Sequence, residues 1–399
     1  MKRAFLFLAV FVVVALATYA LVIIPNYSAF KTLYANNDGM RDGYEYIEST
    51  YSLKTLTEFI GEKPEFFSIV SYNVNDPDSG IFYNPDELST LGSMGNIFLL
   101  IEYERQIAEG LLDPNALVNL QEIEKYLLPQ INQNAHEGAM EYLTAEEVPV
   151  TNDNAMRAML EYNSLALSDY FWFKLGEENL RNLMADLNLK HTEMPVPFSG
   201  YYSVIAPHVS PTVSADAREN LDYFSAMHRD SMFAEMIETA YTFINDEQQN
   251  ALRKQFIEDE RLSMSFIEER DALELLPHTT AREITGLLAE LINNEIISEE
   301  VSEAVKNKLR WPMDSEPIKR SFSDYGAIYD NRMGMLSGID FGTSIYDGHT
   351  SVQAVFFDDL PVAFFIHLSS NHMQEDYQQR LIWDPALYET TIKQIEKNN

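Results

Sequence analysis

Apolar and polar positions alternate with different periods along this chain, and the periods mark out its elements. Residues 4–24, AFLFLAVFVVVALATYALVII, are apolar and uncharged. At about 1.5 Å per residue that run spans a bilayer core of about 30 Å. Lys2 and Arg3 precede it, which predicts a cytoplasmic N-terminus with the bulk of the chain exported. A cleaved signal peptide is the alternative, but ATYA is a poor cleavage site and the apolar run continues past it. Residues 26–63 read as a polar, helical neck. FFSIVSYNV (66–74), the turn cluster NDPDSG (75–80) and IFYNPDEL (81–88) then predict a β-hairpin.

From there the period becomes helical. Ile97, Leu100, Ile101 and Ile107 share one face, and Gly110 is placed to end that helix. Further helices are predicted near 119–128, 153–175, 178–187 and 298–309. Residues 194–213 are proline-rich and irregular, and 214–276 carry helical, charged sequence without a strand signal. Thr280 and Glu283 form a capping box opening the helix 279–292. TSVQAVFF (350–357) and VAFFIHL (362–368) predict a second hairpin, and 383–397 a closing helix. Strands at both chain ends around a helical middle predict an α+β fold: an antiparallel sheet built from both ends, flanked by a large helical region. The expected organisation is an anchor over 1–25, a neck over 26–63, and one domain over 64–399.

Composition narrows the function. The 399 residues include 46% apolar ones, with 22 Tyr and 23 Phe, enough for a sizeable core. Acidic residues outnumber basic ones 62 to 28, a net charge of -34, which argues against a nucleic-acid partner. The absence of cysteine excludes disulfides, thiolate catalysis and cysteine-bound zinc. The eight histidines are scattered and form no i, i+4 pair, so no metal or other cofactor is expected.

The candidate chemistry lies in Ser93-Met94-Gly95-Asn96, followed by IFLLIEYERQIAEGLL. Together with the preceding hairpin, MRAMLEYNSLALSDYFWFKLG (156–176), LNLKHTEMP, HTTAREITGLLAELI and the terminal strands and helix, this stretch resembles the serine β-lactamase and penicillin-binding superfamily, in particular class A-like serine hydrolases. The resemblance covers roughly 64–193 and 278–397. It implies a DD-peptidase-like fold and a nucleophile at Ser93, whose base would be a lysine one turn on, in Ser-x-x-Lys.

Here that lysine is Asn96, which takes up no proton at useful pH, and no lysine occurs between Lys63 and Lys125. The second family motif, Ser-Asp-Asn, falls on Asn163-Ser164-Leu165 without gaps, or on Glu161-Tyr162-Asn163 after a shift of two. The third, Lys-Thr-Gly, falls on Arg332-Met333-Gly334 or on Leu336-Ser337-Gly338. Arg332 keeps a cation able to bind a carboxylate, whereas Ser337 and Gly338 keep the motif's end without charge. Glu193, before Pro195, stands at the wrong offset for the family's deacylating glutamate.

Loss of a positioned base typically costs about 10²–10⁴-fold in rate. The sequence therefore reads as a degenerate member serving as an envelope binding module. The alternative is an active hydrolase in which Ser93 uses another base, a histidine among them, on a β-lactam, a D-amino-acid peptide or an ester. The bland reading of Ser93 is a helix N-cap. Residues 214–276 are expected to be an added subdomain with its own core, a lid, or a docking face for an envelope protein.

Overall fold

The computed structural model describes residues 36–128, 131–145, 149–205, 217–259, 264–309, 338–343 and 348–398. The expected anchor, 4–24, lies outside them, and among the described residues no helix is long and apolar enough to cross a membrane.

Strands β1 (Phe67–Asn73) and β2 (Asp76–Tyr83) form the first hairpin. Asn73 pairs with Asp76, so the turn is only Val74-Asn75 and the DPDSG cluster belongs to the strand. Strands β5 (Ile339–Thr343) and β6 (Thr350–Phe357) come from the other end of the chain. The sheet order is β2-β1-β6-β5, antiparallel throughout, with Ile69 opposite both Tyr83 and Val355. This is the α+β sheet expected from the two chain ends.

The sheet separates two cores, because successive strand side chains point to opposite faces. Phe67, Ile69 and Val355 pack with α1 (Leu53–Glu62) and the C-terminal helices. Val70, Val352, Ala354 and Phe356 face the helical half. Residues 26–63, expected as a neck, thus end in a helix whose Leu56, Phe59 and Ile60 are buried against the sheet.

The second hairpin does not form. Strand β6 pairs with β1 and β5, and 362–370 is helix α14 (Val362–Ser370). VAFFIHL has no alternation, and a short apolar run serves a strand or a buried helix equally well. Its helical start is fixed from far away in sequence: Asp42 Oδ2 accepts the Val362 N–H (3.1 Å) and the Asp42 carbonyl accepts the Ala363 N–H (3.0 Å). Helices α15 (Met373–Trp383) and α16 (Pro385–Asn398) close this layer.

The helical half is built around α2 (Asn96–Ala108), which is buried on nearly every side. Such a helix pairs the acids it buries: Gln106 Nε2 donates to Glu102 Oε1 (2.7 Å), and Lys308 stands 3.3 Å from Glu104. Around it lie α3 (Gln133–Thr144), α4 (Asn152–Tyr162), α5 (Leu165–Leu175), α6 (Glu177–Asp186) and α7 (Phe198–Ile205). The helical stretch predicted over 153–175 is a pair of helices, since Asn163 is left-handed (φ 52°) and Ser164 caps α5.

The stretch 214–276 contains α8 (Ala217–Ser225), α9 (Arg229–Asn245), α10 (Glu247–Asp259) and α11 (Phe266–Ala272). It does not pack on a core of its own. Leu221, Phe224, Met232, Met236 and Ile237 join the core that surrounds α2. Gly200 permits this: a Cβ there would stand 2.0 Å from the Met236 carbonyl oxygen, so only glycine lets α7 and α9 approach so closely. Helices α12 (Ala281–Ile292) and α13 (Glu299–Leu309) complete the half. Thr280 caps α12 by accepting the Glu283 N–H (3.2 Å), but Glu283 does not return the bond. Its carboxylate accepts instead from the N–H groups of Lys190 and His191 and from the Thr192 hydroxyl.

Candidate active site

A short sheet delivers the chain to Ser93. Strands β3 (Leu88–Thr90) and β4 (His278–Thr280) pair antiparallel, and the Leu91 N–H extends the pairing to the Pro277 carbonyl (2.7 Å). Gly92 then adopts φ +50°, a turn conformation that costs glycine nothing, and Gly92–Gly95 form one 3-10 turn leading into α2. Ser93 sits inside that turn, half-buried. It is not an N-cap: neither this turn nor α2 has a side-chain cap, because Ser93 lies within the tight turn instead of preceding it. Among the described residues its hydroxyl has no hydrogen-bonding base.

Asn96 is the first residue of α2 and is 2% exposed, and its Nδ2 has no hydrogen-bond partner among the described residues. Such a donor withheld from water carries a desolvation cost of about 1–3 kcal/mol. Asn96 lines a small cavity of about 20 Å³, room for about one water, with Leu91, Leu99, Asp169, Trp172 and Pro195, and Ser93 is not part of its lining.

Two residues of α5 build the far wall. The Trp172 indole N–H donates to the Pro195 carbonyl (2.8 Å), fixing the proline-rich segment. The Asp169 carboxylate accepts the N–H groups of Phe198 and Ser199, each at 2.7 Å, and so satisfies the first turn of α7 from another helix. Burial pushes the Asp169 carboxyl up to about 6, against the pull of those hydrogen bonds.

The second-motif candidates lie nearby on the chain but are engaged elsewhere. Ser164, fully buried, accepts the Leu167 N–H (3.4 Å), and its Oγ stands 3.0 Å from His136 Nδ1. His136 Nε2 is 3.2 Å from Glu124 Oε1. Asn163 leaves its Oδ1 buried without a hydrogen-bond partner among the described residues. Glu161 faces Arg157 at 3.8 Å rather than Ser93. Of the third-motif candidates, Arg332 and Ser337 lie outside the described residues. Gly338 immediately precedes β5, its carbonyl accepting the Val355 N–H (2.7 Å).

Glu193 is a structural staple. Arg229 of α9 holds its carboxylate at 2.5–2.6 Å, and the His278 N–H donates to it at 2.8 Å. The inserted helices are thereby tied to the segments that supply Pro195 and Pro277 to the cavity. Among the described residues no group of three His, Asp or Glu side chains could hold a metal ion.

Residues 53–370 match the model of the beta-lactamase enzyme family. The chain belongs to that family. No curated protein matches it. Among solved structures, it is similar to the TLA-3 extended-spectrum beta-lactamase, with 11% identity and TM-score 0.47 over 84% of this chain and 98% of that one. It is also similar to beta-lactamases from Sphaerobacter thermophilus DSM 20745 (12%, TM-score 0.47, 86% and 98%) and Chitinophaga pinensis DSM 2588 (10%, TM-score 0.47, 84% and 99%).

A serine hydroxyl attacks a carbonyl only when a neighbour takes its proton, and Ser93 has access without such a neighbour among the described residues. Sequence reasoning missed Asp169, Trp172 and the Ser164–His136 contact. An acid in the middle of LALSDYFWF was a signal for Asp169, since a charge on an all-apolar helix needs a buried partner. Nothing in the sequence pointed to His136.

Proposed function

We propose that this beta-lactamase family member does not acylate, and that it serves as a binding module of the cell envelope. Residues 4–24 hold it to the membrane, with its bulk on the exported side. The observation that carries this reading is Asn96: the position one turn after Ser93 holds a buried amide with an unpartnered Nδ2, where acylation requires a base. The family suggests a β-lactam or peptidoglycan-like peptide as the ligand class to test first. The inserted helices 217–272, bolted to the cavity through Arg229 and Glu193, offer a face for an envelope protein.

The competing reading is an active serine hydrolase. The half-exposed Ser93 favours it, since an accessible hydroxyl is one of the two things a nucleophile needs. Turnover of a chromogenic β-lactam and of an activated ester by the full-length chain and by Ser93→Ala separates the readings. No Ser93-dependent turnover is expected, and turnover lost in Ser93→Ala establishes the hydrolase. Membrane fractionation of the full chain against a variant lacking 4–24 tests the anchor: only the full chain is expected in the membrane fraction.

A further inference from the structure

We infer that residues 40–51 and helix α14 form a face that rests on the lipid surface of the membrane, with Met40, Tyr44, Tyr51 and Phe365 set among its headgroups. The inference rests on the reading of residues 4–24 as a membrane anchor and adds which side of the exported domain meets the bilayer. The two segments lie side by side. Asp42 holds the start of α14 through the Val362 and Ala363 N–H groups, and the Thr50 carbonyl stands 3.1 Å from His367 Nε2. Between these ties the Tyr46 ring packs on Phe59 (5.0 Å between centroids) and Phe364 (5.7 Å). The end of the neck is thus fixed to the domain, so the direction it faces is the direction the domain faces.

These two segments also leave large apolar side chains outside. Met40 is 49% exposed, Phe365 54%, Tyr44 57% and Tyr51 70%, with the Tyr51 ring edge-on to His367 at 5.5 Å. Apolar surface gathered on adjoining segments gains free energy when a partner takes it from water. The chain points to that partner. Residues 25–35 join the apolar run to Asn36. Even fully extended, at about 3.5 Å per residue, they reach no more than about 40 Å, so the face begins within that distance of the bilayer the run spans. Tyrosine suits the place, since its ring enters the apolar edge while its hydroxyl stays wet. Charge plays no such part. The exposed Asp38, Glu45 and Glu48 stand against Arg41 and Lys54, and the whole chain carries -34. Rings rather than a basic patch therefore make the contact, which suits zwitterionic lipid.

The absence of native cysteine gives a direct test. Tyr44→Cys, Tyr51→Cys and Phe365→Cys each carry one nitroxide label on the full-length chain in phosphatidylcholine vesicles. Leu111→Cys, at a 70% exposed position of the helical half, is the control. Collisions of each label with oxygen, which dissolves in lipid, are compared with collisions with a polar nickel complex, which does not. The oxygen-to-nickel ratio at positions 44, 51 and 365 is expected to be at least about three-fold above that at 111. A ratio no higher than at 111 at two or more of the three positions overturns the inference. Protection from both probes overturns it too, since protein then covers the face, and dipolar broadening between labels assigns that cover to a second copy. Failure of the anchor reading looks different. The chain then leaves the vesicles in an alkaline wash, and the inference falls with it, whereas failure of the inference alone leaves the chain bound with its labels in water.

Discussion

Two serines stand at helix starts in the helical half, and they divide between them what a nucleophile needs. Ser93 is half-exposed and has no hydrogen-bonding base among the described residues. Ser164 has an imidazole at 3.0 Å, backed by a carboxylate at 3.2 Å, but is fully buried and caps its helix. Ser–His–Glu connectivity alone would tempt a catalytic reading of Ser164. Burial decides against it, because a hydroxyl that no substrate reaches works as a structural bond. Connectivity and access have to meet at one atom before chemistry follows.

The comparison can be broken most forcefully at His136. His136→Ala leaves a void and strands buried Ser164, while the half-exposed Glu124 turns to water, so a stability loss of about 2–4 kcal/mol is expected in denaturant unfolding. Reactivity at Ser93 should not change. Appearance of a Ser93 adduct only in this variant would mean that the two serines communicate.

Asp169 gives an effect of similar size through pH. It lines the cavity beside Asn96 and also a second one beside His136. Its carboxyl, ordinarily at 3.8, is held at about 6 by burial, so the folded state keeps the proton more tightly than the unfolded chain does. Its contribution to stability is therefore complete below about pH 4 and is lost as pH rises through about 6. The change is on the order of 3 kcal/mol. Asp169→Asn should flatten the thermal-stability profile across that window, and an unaltered slope would contradict the assignment.

Ser164→Ala should cost about 1–2 kcal/mol, since it removes an N-cap and the partner of a buried imidazole. Ser93→Ala should move stability by no more than about 0.5 kcal/mol, because its hydroxyl makes no bond among the described residues. A larger loss at Ser93 than at Ser164 would reverse the roles assigned to the two serines.

Much of the fold was legible because period and punctuation agreed. The strands 67–73 and 350–357, the apolar helix after Gly95 and the Thr280 cap were all readable from local sequence. What was not legible depended on partners remote in the chain. Helix 362–370 is held at its start by Asp42, so its apolar run could not declare itself. The insertion shares the main core because Gly200 lets two helices touch, which no periodicity reports. At the site, the family resemblance implied a lysine at position 96, where the sequence has Asn. The cavity it lines and the acid opposite it were not, since Asn96 and Asp169 meet only through folding.

The central claim is that Ser93 lacks the means to acylate. The direct measurement is intact mass of the full-length chain after incubation with a fluorophosphonate, beside Ser93→Ala. The expected result is that both proteins keep their mass. A stoichiometric adduct on the parent chain, absent from Ser93→Ala, would contradict the account.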